Sequence, residues 1–196
     1  MAGKGKWAQG IRPRNFFWII KDQLAVCERP GGYGQNHRKV RRQEEIIWIR
    51  EQEFTCVISL IPAPHNLHNY DELNLPYRHW PFSADEASSY LATVYPELKE
   101  LLSGGAKLLL HGEELGDRIC GAMAGYLLWD GLIDSGPSAI QVIEQITKRQ
   151  LGPVGRELVA AARTIPPPAP VTRPVPVAVD DPDAAAPDGP RGTGAA

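Results

Sequence analysis

The residues that could do chemistry converge on one stretch: Lys107-Leu108-Leu109-Leu110-His111-Gly112-Glu113-Glu114-Leu115-Gly116-Asp117-Arg118-Ile119-Cys120. The leucine run reads as a buried strand, the glycine-containing middle as a tight loop, and the residues from Asp117 on as the start of an apolar helix. A strand that runs through a loop into a helix N-terminus makes a cradle for an anion. The first amides of the helix have no partner within it, and they point outward. Arg118 adds a guanidinium whose fork of donors suits two phosphate oxygens at once. His111, Gly112, Glu113, Glu114, Leu115, Gly116, Asp117 and Arg118 are therefore the candidate anion-binding residues. The side chains are at odds with the layout. Between His111 and Arg118 there is no Cys, Ser, Thr or Lys, and there are three carboxylates. At a protein-surface dielectric each carboxylate would repel a phosphate by about 1 kcal/mol or more. Their simplest role is to pair with Arg118 and neutralise it inside the loop, with pointing to water the alternative for some of them.

The elements that must position this loop follow from pattern. Phe16–Ile20 and Gln23–Cys27 read as two short strands around a Lys21-Asp22 turn, since bulky and β-branched residues favour strands. Arg29-Pro30-Gly31-Gly32-Tyr33-Gly34 is a loop whose glycines fit neither a dinucleotide fingerprint nor a Walker pattern. His37 to Glu53 predicts an amphipathic helix with Val40, Ile46, Ile47 and Ile49 inward. Arg38, Lys39, Arg41, Arg42, Glu44, Glu45 and Arg50 face water, their charges nearly cancelling. Phe54–Ile61 is the best central strand, ended by Pro62 and Pro64. His65, His68 and Asp71 fall at helical spacing, but the sequence offers no fourth ligand, so no metal is assigned.

Tyr77–Phe82 reads as another short strand. Ser83 and Glu86 have the spacing of a capping box ahead of a helix reaching Leu102, which Pro96 is predicted to kink or split. Beyond Arg118, Gly121, Ala122, Ala124 and Gly125 make a small-residue helix to Trp129, able to lie close against a sheet. Ser135 or Ser138 caps the next helix, and Gly152-Pro153 precedes a final turn or two from Gly155 to Arg163. Strands alternating with helices predict an α/β fold with a central, mostly parallel sheet flanked by helices. Ligands of such sheets sit beyond the carboxyl ends of the strands, where the His111 loop falls.

The totals set further bounds. The chain has 196 residues, is 43% hydrophobic and carries a formal net charge of -2, which supports one sizeable core and argues against a nucleic-acid surface. Cys27, Cys56 and Cys120 are widely spaced, odd in number and set among apolar residues, which reads as buried thiols in a reducing, cytoplasmic compartment. No apolar run is long enough to span a membrane. Residues 1–14 read as a flexible N-terminus and 15–163 as the domain. Residues 164–196 read as a Pro- and Ala-rich disordered tail, whose Pro166–Pro170 and Pro174-Val175-Pro176 could dock on a partner.

Order and local sequence together resemble the dual-specificity protein tyrosine phosphatase family. Asn15–Ile20 with Leu24-Ala25 and Arg29-Pro30-Gly31 is similar to that family's opening, and Phe54–Leu60 to the strand after its first helix. Leu108–His111 is similar to the strand entering its HCxxGxxR loop, Ala124–Leu128 to the helix behind it, and Lys148–Pro153 to its closing motif. The resemblance implies a cysteine thiolate attacking phosphorus, loop amides and an arginine holding the phosphate, and an aspartate protonating the leaving group. Matched residue by residue, His111 and Arg118 persist. Gly112 stands at the nucleophile position, Leu115 at the loop glycine and Ile119 where a hydroxyl usually stands. Asp85 reaches the general-acid position only if its loop is shifted.

The expectation is therefore a degenerate phosphatase-like loop: no catalytic residue, no cofactor, no metal, no nucleic acid and no membrane. The domain would serve as a protein-binding or regulatory module. The alternatives are a reader of phosphorylated ligands that keeps Arg118, or a phosphatase with rewired chemistry.

Overall fold

The computed structural model describes residues 10–32, 38–64, 66–83 and 86–168. Five strands form one sheet in the order β1-β2-β5-β3-β4. The strands are β1 (Phe17–Ile20), β2 (Leu24–Glu28), β3 (Cys56–Ser59), β4 (Tyr77–His79) and β5 (Leu108–Gly112). β1 pairs antiparallel with β2 across a turn that holds Asp22 at φ 59°, and every other pairing is parallel. The leucine strand, β5, is central, with Cys27 and Ser59 flanking His111 in register. Leu108, Leu109 and Leu110 are fully buried, as a parallel strand covered on both faces requires. The α/β architecture expected from the sequence is the one observed.

Successive strand residues point to opposite faces. Leu24, Val26, Ile58, Leu108 and Leu110 enter a large apolar core. It is covered by α3 (Ala87–Ser103), α4 (Asp117–Trp129), α5 (Gly136–Thr147) and α6 (Pro153–Ala162). Ala25, Cys27, Val57 and Leu109 enter a smaller core with α1 (Lys39–Glu51) and α2 (His68–Glu72).

Several helices depart from expectation for identifiable reasons. The buried face of α1 is Arg42, Glu45, Ile46 and Ile49, while Val40 is 70% exposed. Arg42 and Glu45 belong inside because they have buried work. Arg42 donates to the Asn69 Oδ1 at 3.2 Å, and Glu45 accepts the Gly31 amide at 2.7 Å and an Arg41 ion pair at 2.7 Å. α3 runs unbroken through Pro96. It starts at Ala87 with Glu86 at its cap, so no Ser83–Glu86 capping box forms. Ser135 caps α5, accepting the Ser138 amide at 3.3 Å.

The small residues of α4 permit close approach to α6 rather than to the sheet. A Cβ added to Gly121 would sit 2.4 Å from the Gly155 Cα, so only hydrogen atoms fit between the two backbones. Residues 164–168, read as the beginning of the tail, are seated on the domain. Ile165 is buried, and the Trp129 indole Nε1 donates to the Pro166 carbonyl at 2.6 Å. Residues 169–196, most of that tail, lie outside the described residues.

Candidate functional site

The loop at the carboxyl end of β5 leads into α4 through Gly116, the helix N-cap, whose amide bonds back to the Glu114 carbonyl at 2.9 Å. Asp117, Arg118 and Ile119 form the first turn of α4, where amides have no acceptor within a helix. A pocket of about 310 Å³ opens over this turn. Its floor is Gly112, Gly116, Asp117, Arg118 and Ile119. Glu113 and Glu114 edge it, and Leu60, Ile61, Pro62, Phe82 and Val154 form an apolar wall. The structure thus gathers most of the predicted loop around one cavity. His111 and Leu115 are the exceptions. Both are buried beneath it, at 1% and 4% exposure.

The three carboxylates do not neutralise Arg118 together, contrary to expectation. Glu113 turns away to the β2–α1 loop, where both of its oxygens lie 3.0 Å from one Arg29 nitrogen. Asp117 reaches the start of α6 and accepts the Gly152 amide at 2.6 Å and the Gly155 amide at 2.9 Å. That is a cap and a dipole contact in one, since a carboxylate at a helix N-terminus satisfies free donors and meets the positive end of the helix. Glu114 is exposed at the loop tip. Arg118 is exposed as well, with its guanidinium 5.8 Å from the centre of the Phe82 ring, and forms no ion pair with a carboxylate among the described residues. The repulsion anticipated from Glu113 and Asp117 is therefore largely absorbed by partners outside the pocket.

The loop is held from below as well. Arg149, in the segment between α5 and α6, donates to the Leu115 carbonyl. The His111 Nε2 shares a hydrogen bond with the Tyr70 hydroxyl at 3.0 Å, and burial holds its pKa down at about 3, so the ring is neutral. Cys120 lies inside α4 at 1% exposure. Burial, as the leading cause, pushes its thiol up to about 11, the reverse of what a nucleophilic thiolate needs.

Arg29, Tyr70, Phe82, Arg149 and Val154 were not singled out as functional from the sequence. The one usable signal was topological: Arg29 and Phe82 follow β2 and β4 at the carboxyl end of the sheet, where such sheets gather their ligands. Asp85 and His65 lie outside the described residues. His68 is bonded to the Asn69 amide at 2.8 Å, and Asp71 accepts the Tyr77 hydroxyl at 3.4 Å. No helix among the described residues is long and apolar enough to cross a membrane.

The sheet order, the helical cover on both faces and the loop entering α4 define the fold of the protein tyrosine and dual-specificity phosphatases. Among solved structures, the chain is similar to kinase-associated phosphatase carrying serine for its catalytic cysteine. The TM-score is 0.64 and the identity 18%, over 77% of this chain and 94% of that one. It is likewise similar to Tk-PTP in its active form, with a TM-score of 0.59 and 15% identity over 77% and 98% of the two chains. Human DUSP28 follows at 0.55 and 11%, over 78% and 96%. At such identities the likeness is one of fold. No family model and no curated protein matches the chain.

Proposed function

We propose that this domain is a catalytically inactive phosphatase-fold module that binds a protein partner through the face around the β5–α4 loop. The observation that carries this reading is Gly112. It sits at the strand-to-loop junction on the pocket floor, where the resemblance places the nucleophile, and it has no side chain. Among the described residues the pocket lining supplies no Cys, Ser or Thr in its place. Arg29, Arg149 and the α6 amides keep the loop ordered without any catalytic demand on it.

A second reading, a phosphate or phosphoprotein reader, is favoured by one observation. Arg118 has no carboxylate partner among the described residues and borders the pocket beside the open amides of α4.

Two measurements test these readings. The full-length protein is expected to show no turnover of a generic aryl phosphate. Turnover that disappears in Glu113→Gln or Glu114→Gln would overturn both readings in favour of rewired chemistry. Phosphate or vanadate that raises the melting temperature of the wild type but not of Arg118→Ala selects the reader. A Gly112→Cys variant probes the cradle directly. An added Cβ would meet the Glu114 carbonyl oxygen at 3.3 Å and the Ile119 Cδ1 at 3.4 Å, contacts relieved by shifts of a few tenths of an ångström. The variant is expected to fold and to gain little or no activity, because Leu115 and Ile119 remain.

A further inference from the structure

The pocket over the first turn of α4 has an apolar floor. The space above Gly112, where a side chain at that position would point, is bounded by the Glu114 carbonyl oxygen and the Ile119 Cδ1, 3.3 and 3.4 Å from where a Cβ would lie. A carbonyl oxygen and a methyl group are both poor neighbours for an anion, which needs donors when it leaves water. Leu60 and Ile61 follow β3 and Phe82 follows β4, and together with Val154 of α6 they wall the pocket. Pro62 and Val154 are exposed and carry the apolar surface past the rim.

The charges around this pocket cancel. Glu113, Glu114 and Asp117 line it with Arg118. Arg29 is paired with Glu113, and Arg149 lies on the Leu115 carbonyl beneath the loop. Among the described residues, three guanidiniums therefore stand against three carboxylates. A phosphate dianion would gain the open amides of α4 and Arg118, but it would upset that balance and meet the Glu114 carboxylate at the loop tip. A neutral group leaves the balance as it is. Size and ring chemistry narrow the choice further. A cavity of about 150 Å³ takes a benzene ring. This one is about 310 Å³, with room for a ring and the link that carries it. Phe82 is already packed edge-on by Tyr90, their centroids 4.9 Å apart, and the Arg118 guanidinium lies 5.8 Å from its centre. A second ring beside them gains an edge contact with Phe82 and a cation–π contact with Arg118, neither of which an aliphatic side chain can make.

We infer, on the reading of this face as a protein-binding surface, that the pocket receives a neutral aromatic side chain of the partner, a phenylalanine or an unphosphorylated tyrosine. The ring lies on the apolar wall with Ile119 beneath it and Arg118 at its rim, and it is the anchor of the interface.

The test is a methyl NMR titration of the full-length chain with the N-acetyl amides of phenylalanine, leucine and O-phosphotyrosine. The phenylalanine amide is expected to shift the Ile61, Ile119 and Val154 methyls and to bind about threefold more tightly than the leucine amide. The phosphotyrosine amide should bind more weakly than either. Val154→Ser, at an exposed position of the wall, should weaken binding of the phenylalanine amide, and Val40→Ser, on the exposed face of α1, should leave it unchanged. Phosphotyrosine binding more tightly than phenylalanine overturns the proposal in favour of an anion reader. Leucine binding as tightly as phenylalanine overturns it too, as does a Val154→Ser chain that binds as the wild type does. Methyl shifts missing from a chain that turns over no aryl phosphate would sink the aromatic anchor and leave the inactive module standing, whereas turnover would remove the reading beneath it.

Discussion

The two faces of the sheet are built on different principles. On the side of α3 to α6 the buried residues are almost all apolar, and the backbones of α4 and α6 meet glycine against glycine at Gly121 and Gly155. On the side of α1 and α2 the small apolar core is interrupted by buried polar groups: Arg42, Glu45, Asn69 and His111. Apolar burial is non-directional and tolerates rearrangement, whereas a buried polar group must find its partners in place. The difference shows how the candidate site is suspended. The β5–α4 loop hangs between the faces, with Glu113 tied to the polar side through Arg29 and Asp117 tied to the apolar side through the start of α6.

The largest expected effect comes from wedging the apolar side apart. Gly121→Val places a branched side chain where even a single carbon would lie 2.4 Å from the Gly155 Cα. Urea unfolding should show a loss of about 3 kcal/mol, the upper end for overpacking. A loss below about 1 kcal/mol would show that α4 and α6 can separate freely, and the contrast between the faces would weaken.

Acid tests the polar side next. The His111 pKa is about 3 in the folded protein against an ordinary value of 6.5, because burial disfavours the charged ring. A depressed histidine pKa means that the unfolded chain takes up the proton first. This group's contribution is therefore constant above about pH 6.5 and erodes as pH falls towards 3, by up to about 1.4 kcal/mol per pH unit. Between pH 6.5 and 4.5 the wild type should lose roughly 2 to 3 kcal/mol through this group, and His111→Gln should flatten that part of the profile. An unchanged slope in the variant would mean that other groups govern acid stability.

The smallest effect is expected at the tether between the faces. Arg29→Ala should cost about 1 kcal/mol, since the Glu113 side chain is 41% exposed and can turn to water. The same variant returns an unpaired carboxylate to the pocket, so any stabilisation by phosphate or vanadate should shrink. Stabilisation that grows instead would show that Glu113 was never the opposing charge.

What could be read from the sequence divides along the same line. The leucine strand, the small-residue helix and the order of elements were legible because they rest on local pattern: continuous apolar runs, periodicity and breakers. The face of α1 was not, since Arg42 and Glu45 read as wet, and only Asn69 and the Gly31 amide, distant in sequence, make burying them worthwhile. The fate of the loop carboxylates was hidden for the same reason. Their partners lie 84 residues earlier, for Glu113, and 35 and 38 residues later, for Asp117. Charge within a short stretch suggests internal pairing, and nothing local in the sequence reveals a better partner brought in by topology.

The hydrogen bonds from Gly152 and Gly155 to Asp117 also carry a meaning for the order of assembly. During synthesis the leucine strand and its loop leave the ribosome well before the α6 amides exist, and before Arg149 can reach the Leu115 carbonyl. The strand can join the sheet in that interval and Glu113 can meet Arg29, but Asp117 and the Leu115 carbonyl still lack their partners. The face around the β5–α4 loop is therefore completed late, when the last helix docks, and a chain interrupted before Gly152 would lack the amides that hold Asp117.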